Sequence, residues 1–172
     1  GPQSSTSTKV YLGDSWLMSV AYRNGMVWAA HTVFLPEGAP TRSAVQWLEI
    51  DPASGDVMQG SRIDDSDGAS PQMFYAFPSI AVNATNDVLI GYARFSSQQS
   101  PSANYSFRSA SDTPNTLRDD RVLKAGDAAY SKPDGGGTNW WGHYSATAVD
   151  PANDSSMWTV QEYAAPPSGG VD

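Results

Sequence analysis

"FPSIAVNATNDVLIGYARF", residues 77–95, alternates small and apolar side chains, breaks at Asn-Ala-Thr-Asn-Asp, and resumes with Val-Leu-Ile. Period-2 patterning on both sides of a turn-forming cluster specifies a β-hairpin, because successive strand side chains point to opposite faces. The same design recurs in "WLMSVAYRNGMVWAAHTV" (16–33) and "YSATAVDPANDSSMWTVQEY" (144–163). Laid over one another, the three align Val20 with Ile80 and Thr147, and Trp28 with Leu89 and Trp158.

Two further hairpins lie between them. "SAVQWLEIDPASGDVMQGSRI" (43–63) and "SANYSFRSASDTPNTLRDDRVLKAG" (102–126) both open with Ser-Ala and alternate through Trp47 or Phe107 to a polar turn. The unit is therefore hairpin plus hairpin, four strands recurring every 60 to 70 residues. A four-stranded antiparallel repeat is the blade of a β-propeller. The sequence predicts an all-β fold: a β-propeller segment of about two and a half blades over residues 10–165, with "TKVYL" (8–12) offering one more strand. A small β-sandwich made from the same hairpins is the alternative. An open arc leaves strand edges and blade faces exposed, so the remaining blades of the same protein, or further copies of the chain, are expected to complete it. Residues 1–9, whose Gly-Pro start resembles a tag-cleavage scar, and residues 166–172 are expected to be flexible ends. The one plausible helical turn is "DAAYSK" (127–132), bounded by Gly and Pro.

The 172 residues suffice for one domain with a proper core. Charged residues make up only 16 %, and acidic residues outnumber basic ones 18 to 10, for a net charge of −8. Such a surface repels a phosphate backbone and anionic lipid, which argues against nucleic-acid and membrane partners. Without cysteine there is neither a disulfide nor a thiol nucleophile, and no apolar run approaches the length of a membrane span.

The segments "FPSIAVNATNDVLIGYARFS", "SANYSFRSASDTPNTLRDDRVLKAG" and "WWGHYSATAVDPANDSSMWTVQEYA", together covering roughly residues 70–165, resemble the sialidase-like, or BNR/Asp-box, β-propellers, especially secreted bacterial ones. The box of that family, Ser-x-Asp-x-Gly-x-Thr-Trp, corresponds to "ASDTPNTL" (110–117), where Asp112 and Thr116 are in place while Ala110, Pro114 and Leu117 replace Ser, Gly and Trp. The resemblance implies a secreted or cell-surface protein and speaks for fold rather than activity.

A sialidase of that class uses an arginine trio, a Tyr/Glu pair and an acidic acid/base. Arg94, Glu162 and Tyr163 are the candidates by residue type, but none lies in a motif that transfers the role, so no catalytic set is assignable. Arg118 and Arg121 stand beside Asp119 and Asp120, which suggests exposed pairing on an outer strand. His31 and His143 match no zinc or triad spacing. "DDSDG" (64–68) gathers Asp64, Asp65 and Asp67 before a glycine, hard oxygen donors of the kind Ca²⁺ takes, set against a plainly solvated acidic loop. No other cofactor is implied.

"SKPDGGGTNWWGHY" (131–144) leads into the innermost strand of the third blade, and such loops lie on the face where propellers bind ligands. Sugar rings stack their C–H faces on aromatic planes while Asn, Asp and His take hydroxyls. Asp134, Asn139, Trp140, Trp141 and His143 are therefore the candidate ligand-binding residues, for glycan or a protein. Neighbouring residues face opposite ways, so at least one of Trp140 and Trp141 belongs to the core, as does Tyr144 by its match to Phe77. Sequons stand at Asn83, Asn104 and Asn153. The function expected is non-catalytic recognition by a propeller segment. The alternatives are part of a sialidase-like glycoside hydrolase, or a structural subunit assembling through its strand edges.

Overall fold

The computed structural model describes residues 1–66, 68, 70–142 and 145–167. Among them there is no helix, and ten strands form three antiparallel units. Strands β1 (Leu17–Arg23), β2 (Met26–Leu35), β3 (Arg42–Ile50) and β4 (Val57–Ile63) make the first four-stranded meander. Strands β5 (Phe74–Val82), β6 (Val88–Ser96), β7 (Gln99–Arg108) and β8 (Arg121–Lys124) make the second. Strands β9 (Ala146–Val149) and β10 (Met157–Val160) pair as a lone hairpin. This all-β architecture is consistent with propeller blades: two complete and one begun.

The local chemistry explains each hairpin. Asn24 and Gly25 both take positive φ (52° and 83°), the two-residue turn whose twist matches that of the strands it joins. At the β5–β6 turn the Asn83 side chain accepts the amides of Thr85 (3.0 Å) and Asp87 (2.9 Å), and Asn153 does the same for Ser155 (2.9 Å) and Ser156 (2.7 Å) at the β9–β10 turn. These Asn-built turns give the backbone a local partner where the ladder stops.

Strand β5 is the hub. It is buried along its whole length and packs against β1, β2 and β3 on one side and β9 and β10 on the other. Ile80 and Val82 join Trp28, Trp47 and Tyr92 in the core between the first two sheets, while the Ser79 hydroxyl meets that of Thr147 at 2.7 Å in the hairpin beyond. Trp28 and Trp47 stack at 6.2 Å inside that core. A second cluster, built from Val10, Phe74, Phe77, Phe95 and Trp141, lies at the end where the chain leads into the inner strands.

Four expectations are corrected or refined. "TKVYL" forms no strand: Val10 and Tyr11 donate their amides singly, to Gly1 (2.8 Å) and Asn139 (2.9 Å). "DAAYSK" is not helical, because its polar groups are held from outside, the Tyr130 amide by Gln3 (2.8 Å) and the Lys132 amide by Asn139 (2.8 Å). Gln3 itself, within the segment read as a loose end, is buried. Asp120 does not pair with its arginine neighbours: it turns inward to Arg94, Tyr92 (3.0 Å) and Asn104 (2.6 Å), while Arg118 reaches back to Asp112 at 2.8 and 3.0 Å. The turn "ASDTPNTL" does join the third and fourth strands of its sheet, and the Asp112 carboxylate caps it by accepting the Ser109 amide at 2.9 Å.

Candidate functional site

Three lead-in segments, each delivering an innermost strand, converge at one end of the molecule. They are residues 11–16 before β1, the first part of β5 around Phe77, and residues 139–142 ahead of β9. Phe77 holds the junction. It sits at a break in the β5–β6 register with φ of 57°, an uncommon conformation for a bulky residue. It is kept there because its amide donates to the Thr32 hydroxyl (3.1 Å) and its carbonyl accepts the Ser145 hydroxyl (3.1 Å). Gly142 lies against its ring with φ of 71°, and a Cβ at that position would come within 2.5 Å of the ring. Glycine is required here both by backbone angle and by space.

This junction separates the two adjacent tryptophans. Trp141 is 5 % exposed and lies edge-on to Tyr130 at 4.8 Å within the second core cluster. Trp140, 44 % exposed, points the other way and meets Tyr11 edge-on at 4.7 Å. Its indole N–H donates to Asp134 Oδ2 at 2.7 Å. The other oxygen of Asp134 accepts the amides of Gly136 (2.9 Å) and Thr138 (2.8 Å), so one carboxylate both closes the loop and aims the indole. These donors, the indole first, hold the Asp134 carboxyl below the usual carboxylate range.

The aromatic wall continues outside the lead-in loop of β9. Tyr11, Asp14, Trp16, Met18, Phe77 and Trp140 line a cleft of about 210 Å³. Trp16, 75 % exposed, forms its outer lip. That lip is fixed: Asp14 Oδ1 accepts the Trp16 amide at 3.0 Å, and a His31 ring nitrogen lies 2.9 Å from the Ser15 carbonyl. Three partly exposed aromatics, of which Tyr11 and Trp140 are set edge-on to one another, with the Asp14 carboxylate beside them, suit a ring with one apolar face and a hydroxylated rim. The volume is below the ~300 Å³ of a drug-sized pocket, and so suits a single ring-sized group.

The other sequence candidates fall elsewhere. Asn139, expected to face a ligand, is buried and its side chain is spent on the fold, donating to Tyr130 (3.0 Å) and Lys9 (3.3 Å) carbonyls and accepting the Lys132 amide. His143, Tyr144 and Asp67 lie outside the described residues, as do residues 168–172 of the expected tail. Arg94 is engaged by Asp120 and by Gln99 (3.1 Å), Glu162 accepts the Gly142 amide (3.3 Å), and the Tyr163 ring faces Lys124 at 5.1 Å; among the described residues these contacts do not bring the three together. Beside Arg94, burial and the Asp120 charge push the Tyr75 phenol up to about 12. Asp64 is clamped by Arg42 through two bonds of 2.8 and 2.9 Å, and Asp65 Oδ2 accepts the Met73 amide (2.8 Å). Among the described residues no group of three or more His, Cys, Asp or Glu is placed to hold a metal ion. Of the sequons, Asn83 and Asn104 are buried and Asn153 is exposed.

Sequence reasoning missed Tyr11 and Trp16. Trp16 was visible as the head of the first hairpin, the position that each lead-in loop shares, but nothing local brings it to Trp140. Comparison with family models, with curated proteins and with solved structures finds no match to this chain. The molecule is an all-β protein of two four-stranded antiparallel sheets and a hairpin.

Proposed function

We propose that the protein is a non-catalytic carbohydrate-recognition module, secreted or on a cell surface, that holds one sugar ring in the cleft between Trp16, Tyr11 and Trp140. The observation that carries this is the fixed, outward presentation of Trp140 by Asp134 beside two other exposed aromatics. A buried or freely rotating indole would carry no such reading. Pre-set aromatic faces lose little conformational entropy on binding, which favours a ligand that offers only C–H surface and hydroxyls.

The test is calorimetric titration of the protein with a panel of neutral and acidic mono- and oligosaccharides. At least one should bind, and Trp140→Ala and Trp16→Ala should each weaken it at least tenfold while the far-UV spectrum stays native. Binding that survives both substitutions, or no binding across the panel, overturns the proposal. The hydrolase alternative predicts turnover of sialosides or other glycosides that Arg94→Ala or Glu162→Ala abolishes.

A further inference from the structure

We propose that the cleft between the two complete sheets is a second binding site, which takes a small neutral polyhydroxylated molecule, a polyol or a single sugar ring. It shares no lining residue with the aromatic cleft and does not rest on the reading of that cleft. One wall is residues 61–64 at the end of β4, and the other is the β7–β8 turn, residues 115–118, with Asp120. Tyr75 of β5 and Ser106 of β7 also line it. Its volume of about 320 Å³ falls within the range of small-molecule sites, ~300–1,000 Å³.

Tyr75 is the residue that points to a ligand. It is 8 % exposed and lines the cleft, yet among the described residues its hydroxyl has no hydrogen-bond partner. A buried hydroxyl without a partner lowers stability, and phenylalanine would fill the same space without that cost. The ring is held edge-on to Tyr92 at 5.8 Å, which sets the direction of the phenol. Burial and the Asp120 charge, which push its pKa up to about 12, keep it a neutral group that both donates and accepts. The charges around it are already balanced. Arg42 clamps Asp64 through bonds of 2.8 and 2.9 Å, and Asp120 accepts from Arg94, Tyr92 and Asn104. A carboxylate offers about four acceptor positions, so about two stay open on Asp64 and about one on Asp120. Arg62, 3.5 Å from Gln46 Oε1, and Arg118, bound to Asp112, add N–H donors, while Ile63 and Leu117 add apolar surface. Acceptors, donors and a short apolar wall match a molecule that carries several hydroxyls on a carbon frame. The net charge of −8 disfavours an anion, and Arg42 and Arg94 beside the two carboxylates disfavour a cation.

The probes are glycerol, myo-inositol and glucose, each titrated into the isotope-labelled whole chain and followed by amide chemical shifts; the tightest of the three tells an open-chain polyol from a ring. At least one should shift the Ser106 and Leu117 amides saturably, while the Trp140 indole N–H reports the aromatic cleft separately. Tyr75→Phe removes the hydroxyl and keeps the ring against Tyr92. It should weaken that binding about fivefold or more and leave the urea midpoint unchanged or higher, a combination that a merely structural hydroxyl would not produce. Silence of the Ser106 and Leu117 amides with all three probes, or equal affinity in Tyr75→Phe, overturns the proposal whatever the Trp140 indole does. A lowered urea midpoint in Tyr75→Phe also overturns it, since the hydroxyl would then serve the fold. So does inorganic phosphate shifting these amides more strongly than the three neutral probes, because the cleft would then select an anion.

Discussion

Replacing Gly142 by alanine tests the junction that holds the aromatic cleft. The added Cβ would stand 2.5 Å from Phe77 Cδ2 and 2.8 Å from Cγ, well inside van der Waals contact. Phe77 cannot swing away freely, since Thr32 and Ser145 fix its backbone on both sides. Two costs add. Holding alanine at φ of 71° costs about 1 kcal/mol, and forcing a methyl into a packed site costs about 1–3 kcal/mol. The sum, about 2–4 kcal/mol, corresponds to a midpoint lowered by about 1–2 M in urea for an m-value of ~2 kcal/mol/M. Gly137→Ala supplies the control within the same loop. Its φ is 85°, and no atom lies within 4 Å of the added Cβ, so only the backbone cost of about 1 kcal/mol applies. The difference between the two variants isolates the clash. Urea melts followed by far-UV circular dichroism, at constant m, measure it. Equal losses for the two variants would refute the reasoning, because Phe77 would then be yielding and the glycine would be needed for its φ alone.

Asp120→Ala should destabilise by about 2–3 kcal/mol, since it strands the part-buried Arg94 and removes the acceptor of Tyr92 and Asn104; exposed Asp119→Ala should cost under ~0.5 kcal/mol, and urea melts showing equal costs would return Asp120 to the surface role its neighbours suggested. The paired change Arg94→Met with Asp120→Leu should recover more than half of the loss, because it removes both charges together. Asp134 has a depressed folded pKa, so its clamp on Trp140 is complete above the ordinary value of ~3.9 and is released as pH falls through the lower folded value. Tryptophan emission, read as the difference between the protein and Trp140→Phe, should change in that acid window while the far-UV spectrum is native; persistence of the change in Asp134→Asn would assign it elsewhere.

Much of the architecture is written locally. Every hairpin announces itself by alternation interrupted by Asn, Asp or Gly, because a strand's period and a turn's backbone angles depend on a few neighbouring residues. Adjacency also dictated that Trp140 and Trp141 face opposite ways. It could not say which faced out, because that depends on Tyr130 and Val10 gathering around one of them and Tyr11 around the other. Asp119 and Asp120 are chemically identical neighbours, and only the arrival of Arg94 and Tyr92 from β6 distinguishes them. The cleft was half legible for the same reason: Asp134 and Trp140 stand six residues apart, whereas Trp16 reaches them through the convergence of separate lead-in loops.

Trp28 and Trp158 mark the boundary between the two kinds of information. The sequence alone makes them equivalent, the same residue at the same place in the second strand of a hairpin. In the folded molecule one is fully buried and the other is 65 % exposed. Alternation determines the face from which a side chain leaves its sheet, because that is a property of the strand's own pleat. Whether another sheet lies over that face is a property of distant chain segments, and the burial of apolar surface that decides stability and binding exists only once those segments have met.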